Sequence, residues 1–201
     1  NDLAQNRICI NASVGATKTV LLIGDSHAGH ISIALRDSAN KEKWNSVYLE
    51  SSKVQDIENS SDDRVINWIS ANRPDLIIIS QYWQLSTPQD IVRDRILFLK
   101  GIVPNIVIFE NNPIWPDPDH FELSGSVVSL HKIPTYFPKD KMNIEDKVAS
   151  NQLATWARDY GMHTINFDHL FCNDKICSRY SSSEWLYSDY NHLSIAGAAR
   201  T

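Results

Sequence analysis

A serine hydroxyl is a poor nucleophile until a base takes its proton, and the base needs a third group to fix its tautomer. This sequence carries one candidate set for that chemistry, divided between two distant stretches. Ser26 lies in TVLLIGDSHAGHIS, residues 19–32, while Asp189 and His192 lie in YSDYNHLSIAGA, residues 187–198. The aspartate precedes the histidine by three positions, just before an apparent helix. That spacing lets a carboxylate reach Nδ1 across a tight turn and leaves Nε2 free to face a third residue. The chemistry expected of such a set is acyl transfer through an acyl-serine.

The fold must bring the two stretches together. Val20, Leu21, Leu22 and Ile23 form an unbroken run of branched apolar residues, the pattern of a strand buried in a parallel sheet. Gly24, Asp25 and Ser26 break that strand, and Ile31, Ala34 and Leu35 begin a helical spacing. Ser26 therefore stands where a strand hands over to a helix, and in open α/β sheets ligands bind at the carboxyl ends of the strands. Strand and helix signals then alternate. Residues 46–50 read as a strand, 62–72 as a helix behind a Ser/Asp cap, and Leu76–Ser80 as a strong strand. Thr87 reads as the cap of a helix that has Pro88 at its first position and runs to about Lys100. Ile106–Phe109 is the next strand, and residues 111–142 read as a long, proline-rich loop over the active face. Residues 143–160 form an amphipathic helix ended by Gly161; 164–167 is the last strand, and a helix begins at Leu193. This alternation predicts an α/β fold, a parallel sheet with helices on both faces, in one domain covering residues 1–201. With the first strand central, a loop after the last strand folds back over its carboxyl end, so Ser26 and His192 are expected to meet.

Composition narrows the function classes. The chain has 201 residues, 42% hydrophobic and 21% charged, with a formal net charge of −5 and no basic run, which argues against nucleic acid as a partner. No apolar run approaches the ~18 residues of a membrane span, and residues 1–11 lack the apolar core of a secretory leader. The chain opens on Asn1 and stops shortly after a helix has begun, so it reads as a domain excised from a longer protein, and that domain is expected to be soluble and monomeric. Cys172 and Cys177 flank NDKI, a spacing that admits a loop disulfide or a pair of metal ligands. No second Cys/His pair of matching spacing accompanies them, which disfavours zinc. Cys9 is left over, either free or paired with a cysteine of the longer protein from which the domain is excised. A loop disulfide would point to an oxidising compartment.

The GxSxG elbow of α/β-hydrolases is absent. Instead GDSH at residues 24–27, combined with DxxH at 189–192, resembles the SGNH (GDSL-type) hydrolase superfamily. LLIGDSHAGH and SDYNHLSIAGA, with a small Cys loop before the latter, are similar to the C-terminal SGNH domains of bacterial acyltransferase-3 proteins. Those membrane proteins O-acetylate surface polysaccharides such as lipopolysaccharide O-antigen. The order of elements matches over nearly the whole chain, the specific motifs over about two dozen residues. The resemblance implies a three-layer α/β/α sandwich, flavodoxin-like, with a central parallel sheet. It implies Ser26 as nucleophile, His192 as general base, Asp189 as its orienter and the Ser26 backbone N–H as an oxyanion donor. It further implies an acetyl donor delivered by a transmembrane acyltransferase domain, a polysaccharide acceptor, a periplasmic location and no cofactor.

The sequence departs from the superfamily at two other blocks. No glycine occurs between Gly29 and Gly101, so the usual glycine donor is missing, and Leu76–Ser80 runs into SQYWQL where GxND is expected. Gln81, the indole N–H of Trp83, Gln84 or a backbone amide must substitute, or the site is slower, since one lost oxyanion donor typically costs on the order of 10²–10³ in turnover. Asp25, His27, Trp83 and Asn111 are the candidate substrate contacts. His27 and His30, three apart near a helix start, tempt a metal reading, but with no further ligands they are better read as local hydrogen bonding or pocket lining. Tyr82, Trp83 and Trp115 suit either sugar stacking or packing, and Asn111 and Asn112 either ligand contact or a turn. His120, His131, His163 and His169 have no ligand spacing. A carbohydrate O-acetyl esterase and a non-catalytic glycan-binding module remain the alternative functions.

Overall fold

A computed structural model describes residues 8–49, 53–57, 63–116 and 134–201. The apolar runs form a sheet of six strands: β1 (Ile8–Asn11), β2 (Lys18–Gly24), β3 (Trp44–Leu49), β4 (Leu76–Ser80), β5 (Ile106–Phe109) and β7 (His163–Ile165), with β6 (Tyr136–Pro138) lying outside it. Their spatial order is β1-β3-β2-β4-β5-β7, and β1 alone runs antiparallel, along β3. The two-residue period of a strand sends alternate side chains to opposite faces. Leu21, Ile23, Ile77 and Ile79 accordingly join one hydrophobic core, and Val20, Leu22 and Ile78 the other.

Helices cover both cores. α1 (Ser26–Lys41) packs Ala28 and Ile31 into the core that also takes Phe171, from α5 (Asp168–Phe171), and Ala198, from α6 (Ile195–Ala198). On the other face lie α2 (Arg64–Asn72), α3 (Gln89–Ile102) and α4 (Ile144–Asp159), contributing Ile69, Ile96 and Leu153. The result is an α/β molecule with a central, mostly parallel sheet. Asp63 caps α2 and Asn143 caps α4 through their side chains, satisfying amides that have no partner inside the helix.

Several elements differ from the sequence reading. β1 was not expected; its alternation is only four residues long and depends on pairing with β3. The strand expected at 46–50 begins at Trp44, and Glu50 and Asp62 lie outside the described residues, as do His120 and His131. Thr87 does not cap α3: it closes a turn with Gln84, and Pro88 occupies the cap position. The strand expected at 164–167 spans His163–Ile165, and Phe167 instead leads into α5. Within the expected 111–142 loop, β6 pairs with β8 (Ile176–Ser178), while residues 117–133 lie outside the described structure. A small hairpin, β9 (Tyr180–Ser181) with β10 (Glu184–Trp185), precedes the last turn. α6 is a single turn capped by Ser194. Cys172 and Cys177 are joined by a disulfide, and Cys9 on β1 carries a free, exposed thiol.

Candidate active site

The turn between β2 and α1 is built for close approach. Gly24 sits at φ +150°, and a Cβ there would lie 1.7 Å from the Ser80 carbonyl oxygen of the neighbouring strand. Only glycine fits. Asp25 then caps α1: its Oδ1 accepts the His27 N–H at 2.9 Å and its Oδ2 the Tyr82 N–H at 3.1 Å. The second bond pins the turn to the chain leaving β4. Ser26, exposed, becomes the first residue of a helix of 16, where backbone N–H groups lack intrahelical acceptors and the helix dipole is positive.

The other half of the site is the 189–193 turn. Asp189 Oδ1 accepts the N–H groups of Asn191 (2.9 Å) and His192 (2.7 Å), and Oδ2 meets His192 Nδ1 at 2.5 Å. The turn is tied down from behind. Asn112 Nδ2 donates to the Asn191 carbonyl at 3.1 Å, the Trp115 N–H to the Tyr190 carbonyl at 2.9 Å, and the Tyr187 hydroxyl to the Pro113 carbonyl at 2.9 Å. This arrangement brings His192 Nε2 to 2.8 Å from Ser26 Oγ. With the carboxylate on Nδ1, the proton of a neutral ring sits there and Nε2 keeps its lone pair for the serine. Burial alone would raise the Asp189 carboxyl pKa, but hydrogen bonds from the His192 ring and from the His192 and Asn191 amides outweigh it and bring it down to about 2. The carboxylate is charged wherever the imidazole needs it.

Two more imidazoles crowd the site. His27 stacks on Tyr82, with centroids 5.1 Å apart and planes 3° apart, and its centroid is 5.4 Å from that of His192. His30 meets His192 edge-on at 4.5 Å. Burial, with His30 and His192 adding to it and Asp189 opposing, holds His27 down to about 3; burial, with His192 adding and Asp189 opposing, holds His30 to about 4, so both are neutral at ordinary pH. The Tyr82 hydroxyl donates to Asp146 Oδ2 at 2.5 Å, and burial, ahead of that bond, pushes its pKa up. Among the described residues no group of three or more His, Cys, Asp or Glu is placed to hold a metal ion.

Two of the expected side-chain oxyanion donors, Gln81 and Trp83, make their bonds elsewhere. Gln81 accepts the Val54 N–H and donates to Gln55 Oε1, both at 2.9 Å, and the Trp83 indole donates to the Phe109 carbonyl at 2.8 Å. Trp83 and Trp115 are fully buried, so neither offers a face to a sugar. Asn111 is also buried, exchanging bonds with the Trp83 backbone in both directions (2.9 and 2.8 Å). Asp25 caps α1 with one oxygen and holds the Tyr82 amide with the other. Sequence reasoning missed the roles of Asn112, Tyr82 and His30. The signal available for His30 was its place four residues after Ser26, on the same helix face, rather than its spacing from His27.

A family model described as the SGNH domain (fused to AT3 domains) matches residues 1–201. Among solved structures, the periplasmic domain of a lipopolysaccharide acetyltransferase from Salmonella ser. Paratyphi A superposes with a TM-score of 0.67 at 16% identity, covering 94% of this chain and 82% of that one. A catalytic mutant of Axe2, an acetylxylan esterase from Geobacillus stearothermophilus, superposes with a TM-score of 0.55 at 14% identity, covering 92% and 91%. These likenesses carry the fold. No curated protein matches the sequence. Among the described residues no helix is long and apolar enough to cross a membrane.

Proposed function

The chain belongs to the SGNH domain family fused to AT3 domains, and from that membership we propose that it is an O-acetyltransferase acting through an acyl-serine on a carbohydrate hydroxyl. One observation carries the reading: Ser26 Oγ, His192 Nε2, His192 Nδ1 and Asp189 Oδ2 lie in series, with contacts of 2.8 and 2.5 Å. His192 takes the hydroxyl proton as Ser26 Oγ attacks the acetyl carbonyl. The Asp189 carboxylate stabilises the imidazolium that forms. The developing oxyanion faces the Ser26 N–H at the positive end of α1. Collapse of the tetrahedral intermediate expels the donor's leaving group, which takes the proton back from His192. A sugar hydroxyl then gives its proton to Nε2 and attacks the acetyl-serine. Collapse breaks the bond from carbonyl carbon to Ser26 Oγ, which takes the proton back from His192, leaving the acetylated sugar and free Ser26.

Family membership supports a transmembrane AT3 region as the source of the acetyl donor. The likeness to a lipopolysaccharide acetyltransferase domain supports a periplasmic setting and a surface polysaccharide, such as lipopolysaccharide O-antigen, as acceptor. The domain itself is proposed to be a soluble monomer spanning residues 1–201. A second reading, carbohydrate O-acetyl esterase, is favoured by the exposure of Ser26, which leaves water free to replace the sugar.

Incubation with p-nitrophenyl acetate followed by intact-mass spectrometry tests the acyl-serine. The wild type is expected to gain a single acetyl group and Ser26→Ala none. Adding candidate glycans then separates transfer from hydrolysis by which acceptor carries the acetyl group. A wild type that gains no acetyl group and releases no nitrophenol overturns the reading.

A further inference from the structure

We propose that His30 is a positioning residue that sets the register between α1 and the turn carrying His192. The inference rests on the acyl-serine reading and extends it to a residue outside the Ser–His–Asp set. His30 follows Ser26 by four residues, so the two side chains share one face of α1. Its Nδ1 lies 3.3 Å from the Leu193 backbone nitrogen, 163 positions away along the chain. A backbone N–H only donates, so Nδ1 is the acceptor and the neutral ring carries its proton on Nε2. The same ring packs edge-on against His192 at 4.5 Å. His30 thus touches both the general base and the residue after it.

The need for such a contact follows from the chemistry. Asp189 belongs to the same turn as His192, so it orients the ring within the turn but does not hold the turn against α1. Among the described hydrogen bonds, two join α1 to that turn: Ser26 to His192 and His30 to Leu193. The first is lost in every cycle, because once Ser26 Oγ is an ester oxygen it has no proton to give Nε2. During the acetyl-enzyme stage the Asn112 and Trp115 bonds still tie the turn to the chain after β5. The His30 bond is the described hydrogen bond that still ties it to α1, keeping His192 in register with the ester for the incoming acceptor. Its titratable neighbours are His27, with ring centroids 5.5 Å apart; His192, which opposes a charge on it; and Asp189, which favours one. Burial dominates and holds His30 down to about 4, so the accepting lone pair persists at ordinary pH.

The effect should therefore fall on deacylation more than on acylation. The test compares wild type, His30→Leu and His30→Asn with p-nitrophenyl acetate, reading kcat, KM and the acetylated fraction of quenched enzyme at steady state. His30→Leu is expected to lower kcat about 10- to 100-fold, the range of an ångström-scale misplacement, while the acetylated fraction rises. Asn places Oδ1 where Nδ1 stood and should restore most of the rate. Leucine is the better helix former, so a mere loss of helix stability would rank the two variants the other way. Hydrogen exchange at the Leu193 amide gives a readout independent of activity: faster in His30→Leu and restored in His30→Asn. If wild type takes no acetyl group yet Leu193 exchange responds in this way, the acyl-serine reading fails and the positioning role stands. Unchanged exchange, or equal rates in the Leu and Asn variants, overturns the proposal.

Discussion

Asp189 is the residue on which the proposed base depends, because its two oxygens do different work. Oδ1 folds the turn through backbone amides, while Oδ2 faces the imidazole. Asp189→Asn keeps the volume but loses the charge that stabilises the imidazolium, and the amide can favour the wrong tautomer. The acylation rate of Ser26 should fall about 10³- to 10⁴-fold, with the thermal midpoint changed far less; a rate within 10-fold of wild type would sink the role assigned to the carboxylate. The spacing of Asp189 and His192 was legible because it is local: three positions, one turn. The partners of Gln81, Trp83 and Asn111 were not legible, for the opposite reason. Their side chains are spent on Val54, on Phe109 and on the Trp83 backbone, and sequence spacing does not reveal which strands lie side by side.

Among elements, the junction of β2 and α1 is the most constrained. A methyl group at Gly24 would meet the Ser80 carbonyl at 1.7 Å, so β2 and β4 could not both keep their register. Gly24→Ala is expected to cost at least about 3 kcal/mol, the upper end of ordinary overpacking, read as a drop in the urea midpoint; a variant as stable as wild type would contradict the packing described. β2, β4 and β5 could be read from sequence because their branched apolar runs face packed cores. β1, β6 and β8 could not, since each has four residues or fewer and exists only through its partner. α6, a single turn, carries too little periodicity to fix its start, and the sequence placed it two residues early.

At the scale of the whole molecule, the cluster of neutral imidazoles ties stability to pH. Histidine in an unfolded chain titrates near 6.5, whereas the folded protein holds His27 at about 3 and His30 at about 4. Below about pH 6.5 the unfolded state therefore binds more protons, and stability falls as pH drops toward 4 and 3. Above it the two rings add no slope. Asp189, lowered from 3.8 to about 2, keeps its contribution above pH ~4 and loses it as pH falls through 2. Urea midpoints measured from pH 8 to 4 should decline below 6.5, and more shallowly in a His27→Gln/His30→Asn double variant; parallel curves would refute the link. The separation of Ser26 from His192 by 166 positions has a consequence in time as well. At about 5–20 residues per second, a ribosome makes the serine roughly ten seconds or more before its proposed base. Until then the nascent chain carries an ordinary hydroxyl, unarmed. On the proposed mechanism, closing the fold around both stretches is what arms Ser26.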